Sequence, residues 1–226
     1  MRTILQAGFL AGLLLSATGV ARSQTAAPAP LQNGGQAETP KAAYDFSLSR
    51  EEKIKLAESA APAEVSGKAA VYVLERTGYV KVRDGENGFT CFVDRQSPLN
   101  LEPTCFDAEG SATTFQSRLL AEEMRAKGKS EEEVAAAIAE GYKSGKFRAP
   151  QKPGIVYMMS DAGFLYVASL NKMVRLPPHL MLYAPYATEK DIGSPPTAAN
   201  MPRLIRAGQP DAVMIVIPPP AKPASK

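Results

Sequence analysis

Three features of the chain predict an α+β fold: a mostly antiparallel sheet packed by a helical hairpin, in a single domain. Runs of strand length cluster at residues 69–93 and return after Pro153, two amphipathic helical patterns fill the interval, and no strand–helix alternation runs through the whole. Strands gathered on either side of a helical block favour α+β packing, whereas a doubly wound parallel sheet needs a helix after each strand.

Each element has a local reason. Ser49-Arg-Glu-Glu52 has the spacing of a capping box and predicts a helix running to Ala61, where Pro62 stops it. Residues 69–75 are an apolar run. In 78–83, Val80 and Val82 alternate with Tyr79, Lys81 and Arg83, the period of a half-buried strand. Asp84-Gly-Glu-Asn-Gly88 is dense in turn formers, so 78–83 and 89–93 are expected to pair as a hairpin, with Phe89, Cys91 and Val93 on one face. Between 113 and 127, Phe115, Leu119, Leu120 and Met124 mark an apolar helical face. Arg118 with Glu122 and Glu123 with Lys127 are spaced as ion pairs on the solvent side, and Gly128 ends the helix. Ser130-Glu-Glu-Glu133 is a second capping box. It opens a helix through Tyr142 with Val134, Ile138 and Tyr142 in line. Strands are then expected at 155–159, 164–167, 180–183 and 213–217; the last two lack polar alternation, which predicts cover on both faces.

The folded domain is expected over residues 44–218. Ahead of it, Arg2, the uncharged apolar stretch 4–20 and the small residues Ala21 and Ser23 read as an export signal over 1–23, cleaved before Gln24. Gly12, Ser16, Thr18 and Gly19 dilute the stretch below what a bilayer span needs, so no stable membrane insertion is expected after cleavage. Residues 24–43, rich in Ala, Pro, Gln and Gly, read as a disordered leader, and 219–226 as a disordered proline-rich tail. Loss of 1–23 removes two arginines and no acid, lowering the formal charge from +3 to +1. A chain so balanced carries no general attraction to nucleic acid or anionic lipid. The expected location is the bacterial periplasm or the medium.

In an oxidising compartment the two cysteines, Cys91 and Cys105, default to a disulfide. It would tether residues 94–104, a stretch with Pro98, Pro103 and little periodicity, and their spacing is not that of a Cys-x-x-Cys redox pair. One His and two separated Cys do not supply a usual zinc set, so no metal and no cofactor are expected. The zincin, P-loop, serine-elbow and dinucleotide motifs are missing from the sequence, and no catalytic residue is assigned. Asp84, Glu86 and Asn87 read as turn chemistry and not as a calcium loop. Lys143, Lys146, Arg148 and Lys152 read as charge placed at a helix C-terminus.

The candidate binding segment is Leu176-Pro-Pro-His-Leu-Met-Leu-Tyr-Ala-Pro-Tyr186 with the following Thr188-Glu-Lys-Asp191. The proline pair fixes the entry to a strand, and His179, Tyr183, Tyr186 and Asp191 are polar-tipped groups able to converge. Three stretches, Gly85-Glu-Asn-Gly-Phe-Thr-Cys-Phe-Val-Asp-Arg95, Ile138-Ala-Glu-Gly-Tyr-Lys-Ser-Gly-Lys-Phe-Arg-Ala-Pro150 and residues 177–193, resemble a group of exported bacterial proteins. The resemblance implies bacterial export and carries no activity. The expected function is therefore a non-enzymatic exported domain that binds a small molecule or an envelope protein around His179. The alternative is a hydrolase-like enzyme with His179 as general base and Asp191 orienting it.

Overall fold

The computed structural model describes residues 44–193 and 202–216; the expected export signal, leader and tail lie outside the described residues. The strands are β1 (Ala70–Glu75), β2 (Gly78–Arg83), β3 (Thr90–Asp94), β4 (Glu102–Phe106), β5 (Ile155–Met158), β6 (Phe164–Val167), β7 (Lys172–Arg175), β8 (His179–Tyr183), β9 (Arg203–Ile205) and β10 (Val213–Val216). Eight of them form one sheet in the order β2-β1-β3-β4-β5-β8-β10-β9, while β6 and β7 form a separate two-stranded arm. Every neighbouring pair is antiparallel except β1 with β3. The α+β class with a mostly antiparallel sheet stands.

The helices are α1 (Arg50–Glu58), α2 (Ala63–Ser66), α3 (Ala108–Ala112), α4 (Thr114–Ala126), α5 (Glu131–Lys143) and α6 (Glu189–Ile192). Both expected capping boxes form: Ser49 with Glu52 opens α1, and Ser130 with Glu133 opens α5. α4 ends at Gly128, whose φ of +74° allows Lys129 N–H to reach the carbonyl of Met124 at 3.1 Å. That is the Schellman closure, and a side chain there would be strained. α1 lies across β1, β3 and β4. On the opposite face α4 presses Phe115 into Phe92, Tyr72 and Tyr79, and α5 stacks outside α4 through Val134 and Ile138 against Ala121. Among the described residues the helical hairpin therefore packs on the sheet chiefly through α4.

Three expectations need correction. First, β2 pairs with β1 through the two-residue link Arg76-Thr77, not with β3. A two-residue link closes locally, and the 84–89 turn instead carries the chain past β1 to lay β3 parallel on its far side, held by Glu86 N–H on Lys68 O and Asn87 Nδ2 on Val65 O. Second, Arg118 and Glu122 are buried rather than solvent-facing, because that stripe of α4 meets charged partners on the sheet. Third, β8 alternates: His179, Met181 and Tyr183 are buried while Leu180 and Leu182 are exposed.

The disulfide is formed, but it does not staple an irregular loop. Cys91 and Cys105 sit directly opposite each other in the β3–β4 ladder, their Cα atoms 4.1 Å apart. The close spacing marks a non-hydrogen-bonded pair, so Pro103, two residues away on β4, directs its nitrogen toward β5. Proline has no N–H to offer a neighbour. The β4–β5 ladder accordingly ends at Cys105 with Tyr157, and Met159 N–H turns to Ala60 O at 2.9 Å. Both strands are buried throughout.

Replacing both cysteines by alanine should lower unfolding stability by about 2–4 kcal/mol. Urea titrations with and without reductant will show this if the native chain, but not the variant, is weakened by reduction. Two free thiols in alkylated native protein would contradict the bond.

Candidate functional site

The sheet register aligns one set of side chains on the α4 face. Asp94 lies opposite Glu102, Met158 opposite His179, Met181 opposite Ile215 and Ile215 opposite Arg203. Side chains at alternate positions share a face, so Glu102, Met158, His179, Met181, Ile205 and Ile215 form a continuous floor. The β6–β7 arm overhangs it with Leu165 and Leu176, and Gln96 and Asn100 close one side. Together they enclose a cleft of about 180 Å³. Reciprocal backbone bonds between Leu101 and Phe164 (2.9 and 2.8 Å) and Tyr166 N–H on Asn100 Oδ1 (3.0 Å) hold the arm in place.

Glu102 is the chemical centre of this cleft and is 2% exposed. Asn100 Nδ2 donates to its Oε1 at 2.6 Å and Gln96 Nε2 to its Oε2 at 3.2 Å. Asp94 and Asp211 are both paired with Arg118, at 3.0 and 3.7 Å, and Asp211 also binds Arg206 at 2.7 Å. Glu122 is paired with Arg95, and with Arg125 at 2.7 Å. Among the described residues, Glu102 is the buried carboxyl with no basic side chain at ion-pair distance. Burial first, and then the neighbouring Asp94 carboxylate, push its pKa from 4.5 up to about 7, against the pull of Asn100, Arg118 and Gln96.

His179 is buried at the start of β8, its Nδ1 2.7 Å from Pro177 O. A carbonyl oxygen only accepts, so Nδ1 carries the proton and Nε2 keeps its lone pair. Burial holds the imidazole below its ordinary 6.5, with the Pro177 bond pulling the other way. His179 lines the cleft with Glu102; the other three expected residues do not join it. Tyr183 lies four residues further along β8, about 13 Å away at strand rise. Its hydroxyl donates to Asp107 Oδ1 at 3.0 Å, and a Cβ on Gly110 would fall 1.9 Å from the Tyr183 hydroxyl oxygen. Tyr183 is a packing anchor.

Tyr186 is exposed at φ +62° and lines a second, wider groove of about 450 Å³ with Tyr142, Lys143 and Arg206. Asp191 spends its carboxylate on the N-cap of α6, accepting from Thr188 N–H and Oγ1 at 2.8 Å each. The His179–Asp191 pairing is therefore not assembled. No group of three or more His, Cys, Asp and Glu among the described residues is arranged to hold a metal ion. Glu102 escaped the sequence reading because Pro103 beside it argues against a strand; the alternation of Glu102, Thr104 and Phe106 was the signal available. No protein-family model, curated protein or solved structure matches the chain.

Two outcomes follow from this charge arrangement. Arg118→Leu strands Asp94 in the interior and leaves Asp211 with Arg206 alone, and should cost about 3–5 kcal/mol in denaturant unfolding; a loss below 1 kcal/mol, on the order of a surface pair, would show the network to be solvated. Glu102 has the opposite linkage to an ordinary carboxylate. Its folded pKa lies above the unfolded 4.5, so its stabilisation is complete below about 4.5 and lost as pH rises through about 7. Glu102→Gln should thus gain on the native chain by on the order of 3 kcal/mol between about pH 4.5 and pH 8, read from paired thermal melts. Parallel pH profiles would exclude the raised pKa.

Proposed function

We propose that this chain is a non-enzymatic binding domain that takes a small amphipathic molecule in the cleft beneath the β6–β7 arm. The observation that carries the reading is a preformed concavity whose floor sets the buried Glu102 among Met158, Met181 and Ile215 and whose overhang is Leu165 and Leu176. An apolar enclosure with a few convergent polar groups is what small-ligand sites are built from, and the volume suits a molecule of amino-acid size. The Cys91–Cys105 bond fits work in an oxidising compartment, the bacterial periplasm or the medium. Among the described residues no helix is long and apolar enough to cross a membrane.

A second reading is favoured by one observation. A buried carboxyl that titrates near neutrality has the property of a general base. No hydroxyl or thiol bonds the Glu102 carboxyl among the described residues, so no side-chain nucleophile stands beside it.

A thermal-shift screen of the purified chain against small apolar-bodied alcohols, amines and acids tests the primary reading. At a concentration of about 100 times Kd a ligand adds about 2.7 kcal/mol, and Leu176→Trp, which fills the cleft from the arm, should abolish the shift while the protein still melts cooperatively. A shift that survives Leu176→Trp would move the binding site elsewhere.

A further inference from the structure

Resting on that reading, we infer that the molecule the cleft takes is a small organic ammonium ion, an apolar primary amine whose cationic head is neutralised by Glu102. Every other buried carboxylate in this part of the fold is already matched: Asp94 and Asp211 by Arg118 and Arg206, Glu122 by Arg95 and Arg125. Glu102 is matched by nothing but two side-chain amides. A cation entering the cleft therefore meets a charge without a counter-ion, and one desolvated pair replaces one desolvated charge.

The surrounding acceptors suit an ammonium group. An –NH₃⁺ head has three donors and no acceptor. Each Glu102 oxygen accepts one amide hydrogen and retains a lone pair. His179, fixed by Pro177 with its proton on Nδ1, presents Nε2 as a further acceptor from the cleft floor. Gln96, donating through Nε2, keeps Oε1 as another. A hard divalent cation needs six or more oxygen ligands, and here Asp94 is held by Arg118 at 3.0 Å. Met158, Met181, Leu165 and Leu176 then receive a short hydrocarbon body. Arg203 lines the cleft from β9 and is exposed, placed to meet a carboxylate on a ligand that carries one, as an apolar amino acid does.

The charged and titratable groups facing Glu102 are Asp94 from β3, Arg118 from α4, His179 from β8, Arg203 from β9, Arg206 just after it, and Asp211 ahead of β10. Arg118 stays cationic, Asp94 and Asp211 each lie at ion-pair distance from it, and burial holds the His179 imidazole below its ordinary 6.5. The group that changes charge there is Glu102, so amine affinity rises with pH as Glu102 loses its proton.

The test is a titration of the purified chain, labelled at its methionine methyl groups for NMR, with n-pentylamine, leucine, 4-methylpentanoate, 1-pentanol and calcium chloride. Expected are saturable shifts of the Met158 and Met181 methyls with pentylamine and leucine, tighter than with pentanol or the acid. Pentylamine affinity should rise about tenfold between about pH 6 and pH 8. Glu102→Gln, shown by its melt to be folded, should weaken pentylamine by about tenfold or more and leave pentanol unchanged. Pentanol or the acid binding as tightly as the amines, Glu102→Gln retaining amine affinity, or calcium alone reproducing the shifts would overturn the ammonium assignment and leave the cleft a binding site. If no compound moves either methyl, the assignment and the binding function fall together.

Discussion

One guanidinium sets the shape of this protein. Arg118 on α4 reaches Asp94 on β3 at 3.0 Å and Asp211, just ahead of β10, at 3.7 Å. β3 and β10 are separated by β4, β5 and β8. In a flat sheet that is four strand spacings, about 19 Å, beyond what a single side chain can bridge. The sheet must curl toward α4 until its distant strands face one another, an extreme of the coiling that twisted sheets adopt. Curling makes the α4 face concave. The large apolar side chains Phe92, Phe106, Val156, Met181 and Val213 fill one part of the hollow against Phe115, and the cleft under the β6–β7 arm occupies another.

The same interaction explains why the pattern on α4 was half legible. The apolar positions Phe115 and Leu119 were visible in the sequence and do pack on the core. Arg118 and Glu122 have the spacing that ordinarily marks a solvent-side pair, and only the partners decide otherwise: Asp94, Asp211 and Arg95 come from segments outside α4 and remote in sequence. The capping boxes at Ser49 and Ser130 and the stop at Gly128 were legible because each is satisfied within a few residues of itself. Strand identity was legible for the same local reason at β1, β2, β3, β5, β6, β8 and β10. Pairing was not, because whether 89–93 joins β2 or crosses to β1 is decided by the contacts of the 84–89 turn with Val65 and Lys68.

The candidate site followed that division. His179 was visible as the chain's single histidine, held at a strand entry by two prolines, and it does line the cleft. Tyr183, Tyr186 and Asp191 were near it in sequence, but a strand carries side chains apart by about 3.3 Å per residue. Tyr183 is consumed by Asp107, Asp191 by the α6 cap, and Tyr186 faces a different groove. Glu102 lies 77 positions from His179 in the chain, and only the register of β4 with β5 and of β5 with β8 brings them to one surface.

That register rests on the two cysteines. A slip of one residue between β3 and β4 would turn Glu102, Thr104 and Phe106 to the α1 face and put Pro103 and Cys105 in their place. The cross-strand bond between Cys91 and Cys105 forbids the slip, since it pairs two positions directly opposite each other. Pro103 supplies the complementary break. By ending the β4–β5 ladder at Cys105 it frees the start of β4 from β5, and into that gap come Asn100, bound to Glu102 on one side and to the arm on the other, and the cleft itself. A strand that was continuous with β5 would have no room there for a ligand, and one without the disulfide would have no fixed carboxyl to offer it. The cysteine pair therefore holds more than local architecture: it fixes the position of the one buried carboxyl that, among the described residues, is left without a counter-ion.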